Sequence, residues 1–209
     1  MAVTAEAFLA MPQIPYSQAR PELRTGDIAL FHSINLGSEV IEFGTHSLWS
    51  HAAFVWCLPD VGRVMLLESM DTVGVRVMPM STRINGCSAV PTPFQGKMLV
   101  ARHDDFPNPP PKDKLNAMTE FALDRVGFPY SFQELHQIAL RIVLGMAGKI
   151  ESGRLQLGTG FICSEYVAKC FDAIGIELAP DREGFIAPAD IAADPKVRAV
   201  YSLKPDARA

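Results

Sequence analysis

A thiol, an imidazole and a carboxylate stand in this sequence where local structure would let them work together. The stretch Thr159-Gly160-Phe161-Ile162-Cys163-Ser164-Glu165-Tyr166 reads as a glycine-bearing approach, a cysteine and then a helix. Ile162, Val167, Cys170, Phe171 and Ile174 form its buried stripe, and Gly175 ends it. Cys163 thus falls in or just before a first helical turn, where unpaired N–H groups and the helix dipole stabilise a thiolate. The same N–H groups can donate to a developing oxyanion. Such a thiol is a nucleophile only with a base in reach.

A hairpin supplies the candidate base. His51 to Cys57 and Gly62 to Ser69 read as two strands around Leu58-Pro59-Asp60-Val61. With the loop centred between Pro59 and Asp60, His51 faces Glu68, Ala53 faces Leu66 and Val55 faces Val64. Opposed residues have Cβ atoms roughly 4.5 to 5.5 Å apart, close enough for a carboxylate to hold an imidazole N–H. That contact fixes the ring tautomer and favours the imidazolium. Two readings stay open here: a general base with its orienting carboxylate, or a structural pair that satisfies a half-buried histidine.

The surrounding elements are those of an α+β chain with strands first and helices after. Residues 1 to 24, with Pro12, Pro15 and Pro21, read as an N-terminal arm, and residues 25 to 205 as a single domain. Asp27 to His32 is a buried strand, Ser38 to Phe43 a short helix, and Gly74 to Met80 and Lys97 to Arg102 two further strands. The proline-rich run from Asp105 to Pro111 marks the change of architecture. Beyond it, Asp113 to Arg125 and Gln133 to Ala147 carry helical periodicity, and Val197 to Leu203 reads as a last short strand. Gln133 to Ala147 is apolar around most of its girth, so it is either a core helix or a groove or membrane-surface element.

Composition narrows the function. A net charge of −4 over 209 residues lacks the basic footprint of a nucleic-acid binder. Cys57, Cys87, Cys163 and Cys170 form no CxxC pair, and a domain this long does not need disulfides, so they are expected as thiols. Met1 to Gln18 lacks the basic start and apolar run of an export signal, and no run reaches the roughly 18 to 20 apolar residues of a membrane span. A cytoplasmic setting is expected. His32, His46, His51 and His103 show no metal-binding spacing, so neither metal nor other cofactor is expected.

Taken in order, Gly26-Asp27-Ile28, Ser50-His51-Ala52-Ala53, Leu67-Glu68-Ser69, Gly127-Phe128-Pro129-Tyr130-Ser131-Phe132 and Cys163-Ser164-Glu165-Tyr166-Val167 resemble the permuted NlpC/P60 group of papain-like enzymes, closest to its YiiX/YaeF-like amidase branch. The resemblance runs from about Leu23 to Ile191. It implies a circularly permuted papain-like fold, with a small antiparallel sheet or half-barrel packed against helices. It also implies Cys163 as nucleophile, His51 as base and Glu68 as orienting residue. Tyr130 and Ser164 follow as oxyanion or substrate-binding groups, and Pro188-Ala189-Asp190-Ile191 as a packing element. The implied activity is a cysteine-dependent amidase or peptidase, working through a thioester on a small peptide or cell-wall-derived amide. A lipid-directed acyltransferase or esterase, like the lecithin:retinol acyltransferase-like branch, and a non-catalytic binding domain are the alternatives.

Overall fold

The computed structural model describes residues 4–33, 48–87, 93–131, 160–178 and 186–207. In chain order its elements are α1 (Ala5–Ala10), β1 (Gln13–Pro15), α2 (Tyr16–Ala19), β2 (Asp27–Ser33), β3 (His51–Leu58), β4 (Arg63–Met70) and β5 (Gly74–Pro79). Then follow α3 (Met80–Asn85), β6 (Gly96–His103), α4 (Lys112–Leu123), α5 (Cys163–Asp172), α6 (Pro188–Ala193) and β7 (Val197–Lys204). The strands form one sheet in the order β1-β7-β6-β2-β3-β4-β5, antiparallel except for the β1–β7 pair. The α+β expectation holds, with a larger sheet than a small one: seven strands packed against helices. Helices expected at 38–43 and 133–147 lie outside the described residues.

Position in the sheet explains the composition of each strand. β2 lies between β3 and β6 and has both faces covered, which is why Ile28-Ala29-Leu30-Phe31 shows no polar alternation. On one face Ile28, Leu30, Ala52, Phe54, Leu67 and Leu99 meet Tyr166, Val167, Cys170 and Phe171 of α5, with Met118 and Ala122 of α4. On the other, Ala29, Phe31, Ala53, Val55 and Leu66 meet Tyr16 and Ala19 of α2 and Met80 and Ile84 of α3. Each large apolar side chain so buried contributes about 1.5 to 3 kcal/mol. The first 24 residues, expected as an arm, add an edge strand to β7 and bury Phe8, Tyr16 and Leu23. Among the described residues, no helix is long and apolar enough to cross a membrane.

The β3–β4 loop is centred one residue further along than the symmetric loop predicts. Leu58 pairs with Arg63, Val55 with Leu66 and Phe54 with Leu67, so the loop centre lies between Asp60 and Val61. Gly62 is the reason. It takes a left-handed conformation (φ 57°) and its N–H closes on the Pro59 carbonyl at 3.0 Å, which makes it a loop residue and not the first of the strand. Every pairing moves by two residues, so each side chain keeps its face. Ala53, not His51, stands at the register position opposite Glu68, and His51 is Glu68's diagonal neighbour on the same face.

Candidate active site

The site is built where the sheet comes apart. The β3–β4 ladder ends at Phe54 and Leu67, whereas Glu68, Ser69 and Met70 stay paired to β5. At the same register Ala52 would face Ser69. Instead the start of α5 enters the gap: the Ala52 N–H donates to the Cys163 sulfur, and the Ser69 hydroxyl donates to the Phe161 carbonyl at 2.7 Å. Ile162 caps α5 in an extended conformation (φ −82°, ψ 161°) without a side-chain hydrogen bond, so no cap competes for the first-turn N–H groups. One of them, Ser164 N–H, donates to the same sulfur.

Aromatic packing fixes the helix start. Phe161, two residues before the cysteine, lies among Phe121, Phe128 and Tyr166 with ring centroids 6.2, 6.3 and 5.9 Å away. The Tyr166 hydroxyl donates to Ala122 O at 2.8 Å, tying α5 to α4. Residues 129–131 run beside 160–161 as a short parallel bridge between Tyr130 and Phe161. Gly160 permits this approach, since a Cβ there would lie 2.5 Å from the Pro129 carbonyl oxygen.

His51 opens β3 and reaches both partners. Its Nε2 lies 2.7 Å from Glu68 Oε2, and its ring packs on Phe31 at 5.1 Å between centroids. The ring also hydrogen-bonds Cys163, and with Nε2 engaged by Glu68 the nitrogen left for the sulfur is Nδ1. Burial disfavours the imidazolium, yet the facing thiolate and then Glu68 outweigh it and raise the His51 pKa to about 9. Burial likewise opposes ionisation of Cys163, but the imidazolium and the N–H groups of Ala52 and Ser164 hold its thiol below the ordinary value. Both shifts favour the thiolate–imidazolium form of the pair.

Glu68 is fully buried, and two arginines join His51 around it. Arg76 donates from Nε (2.8 Å) and Nη2 (2.7 Å) to Oε1, so the two carboxylate oxygens have separate partners. Arg83 lies over the rings of Phe31 and Phe94 at 5.1 and 4.9 Å and adds its charge across the same space. Burial pushes the carboxyl up, but His51, Arg76 and Arg83 together bring it down to about 2. Neither arginine emerges from sequence reasoning. Arg76 was legible, because it stands directly opposite Glu68 in the β4–β5 hairpin.

The structure brings Cys163, His51 and Glu68 together, and the other candidates fall out differently. Tyr130 reaches the site by its backbone, through the bridge to Phe161. The Ser164 hydroxyl donates to Ile186 O at 2.5 Å, tying α5 to the segment that enters α6, while its N–H faces the sulfur. Pro188 and Ile191 are buried in α6. Burial raises the thiols of both Cys57 and Cys170, Cys57 to about 11. Cys87 is exposed. The His103 ring accepts from the Asp105 N–H, the His32 ring contacts Leu48 O, and His46 lies outside the described residues. Iodoacetamide at about pH 6.5 should therefore alkylate Cys163 at least about tenfold faster than Cys57 or Cys170 in a Cys87→Ser background, read by peptide mass spectrometry. Equal rates at the three thiols would refute the ion pair.

No family model and no curated protein sequence match the chain. Its fold does match a solved structure, the crystal structure of the metalloprotein yiiX from Escherichia coli O157:H7. The TM-score is 0.56 and the identity 17%, over 87% of this chain and 98% of that one. A likeness at that identity is one of fold.

Proposed function

We propose that this chain, with its YiiX-like fold, is a cysteine-dependent hydrolase that opens amide bonds through a thioester on Cys163. The observation that carries the reading is the hydrogen-bonded series Cys163–His51–Glu68, assembled from a helix start and two strands that part to admit it. The thiolate attacks an amide carbonyl, and N–H groups at the start of α5 receive the developing oxyanion. The His51 imidazolium then gives its proton to the leaving amine, and the neutral ring activates the water that resolves the thioester. Glu68 holds the ring throughout. Tyr130 and the Ser164 backbone are the groups we assign to positioning substrate beside the sulfur. Histidine before cysteine in the chain is the order of the circularly permuted papain-like arrangement, and a small peptide or cell-wall-derived amide is the substrate class which that resemblance suggests.

The yiiX structure is that of a metalloprotein, which raises a metal as a second reading. The residues here do not fit one. Both Glu68 oxygens and the His51 Nε2 are engaged, and Cys163 with the remaining ring nitrogen offers two donors that already face each other. Among the described residues, no group of three or more His, Cys, Asp or Glu could hold an ion.

Intact-mass analysis after exposure to a mixed library of peptide amides and acyl esters tests the proposal. An acyl adduct confined to Cys163 is the expected result, and its mass identifies the acyl group. The rate should follow a bell-shaped pH profile. Activity rises as Cys163 ionises below its ordinary pKa and falls near pH 9 as His51 loses its proton, both limbs belonging to the coupled pair. A profile that only climbs through pH 9 would rule out the His51 imidazolium as the proton donor.

A further inference from the structure

Glu68 can orient His51 only if it is itself held, since a carboxylate with one fixed oxygen still turns about its terminal bond. Three charged groups bear on it: His51 from β3 at Oε2, Arg76 from β5 at Oε1 and Arg83 from α3 across the aromatic rings, while Cys163 of α5 faces His51 behind the imidazole. Arg76 makes two of the short contacts, from Nε and Nη2, and its separation from Glu68 is set by direct pairing in the ladder. Its side chain is 31% exposed, so the clamp is anchored at the edge of the site and reaches inward.

We propose that Arg76 is a positioning residue of this centre, fixing Glu68 by one oxygen so that the other is presented to His51. The inference rests on the thiolate–imidazolium reading above. Arg76 does two separable things: its two N–H groups pin Oε1, and its charge opposes that of the imidazolium across Glu68. Removing the charge leaves the carboxylate less compensated, so His51 holds its proton to higher pH. Removing the geometry lets the imidazole swing and slows the chemical step without altering substrate binding.

Arg76→Gln and Arg76→Lys separate the two. In Arg76→Gln the alkaline limb of the pH–rate profile should move up by about one unit. Its kcat should fall about 10- to 100-fold with KM within about threefold. Arg76→Lys keeps the charge, and with it the fold, but lacks the planar fork. Its alkaline limb should coincide with that of the unaltered protein while kcat stays reduced. An unmoved limb in folded Arg76→Gln, or a full rate in Arg76→Lys, would reduce Arg76 to a structural counter-ion and overturn the proposal. Failure of the underlying reading looks different: Cys163 in the unaltered protein would then lack a thiolate at neutral pH, before any variant is compared.

Discussion

Replacing Cys163 with serine should lower kcat/KM by on the order of 10⁴- to 10⁶-fold while leaving the thermal midpoint close to its original value. The two halves of that result have separate causes. A serine hydroxyl is isosteric enough to sit in the gap between β3 and β4, and its oxygen can accept from the Ala52 and Ser164 N–H groups that face the sulfur. The fold therefore keeps its contacts at the seam, in a neutral and weaker form that costs little against the buried apolar area around it. The chemistry does not survive, because a hydroxyl is far too weak an acid for His51 to hold it as the anion. The thiolate that favours the imidazolium disappears, and with it the proton that His51 would deliver to the leaving group in the proposed mechanism. Rate and unfolding measurements on the same preparation decide the matter. Activity within about tenfold of the parent would mean that another residue attacks the substrate.

The second large effect is on stability. Glu68→Gln changes little in volume but leaves the Arg76 and Arg83 charges without their common counter-ion. Breaking a buried pair from one side costs about 3 to 5 kcal/mol. In a domain of this size that lowers the melting temperature by roughly 6 to 20 °C. Turnover should drop by about 10²- to 10⁴-fold as well, since His51 loses the partner that sets its tautomer. The acid limb of stability supplies an independent check. The Glu68 pKa lies near 2 in the folded chain, below its unfolded value, so its contribution is complete above about pH 4.3 and drains away as pH falls towards 2. Urea titrations of Glu68→Gln should lose that portion of the pH dependence. A variant as stable as the parent across this window would show that the two arginines do not depend on the carboxylate.

What was legible in the sequence was what local pattern controls. The cysteine at a helix start and the common face of His51 and Glu68 follow from periodicity. The pair survived a wrong loop centre because the displacement was an even number of residues. What was not legible depends on contacts between distant parts of the chain. Nothing in the residues of β3 announces that its ladder stops at Phe54 so that a helix from more than a hundred residues later can enter. Arg83 comes from a six-residue helix with no repeating signal, and its place beside Glu68 is decided by Phe31 and Phe94. β1 is three residues long and ends in proline, too short a run to mark a strand.

The sulfur at the β3–β4 seam, the nucleophile of the proposed reaction, is also a fastener. As a thiolate it accepts charge-assisted hydrogen bonds from both the strand and the helix, contacts about twice as strong as neutral ones. In the proposed thioester cycle acylation would remove that charge, so each thioester would slacken the stitch between sheet and helix and each hydrolysis would draw it tight again.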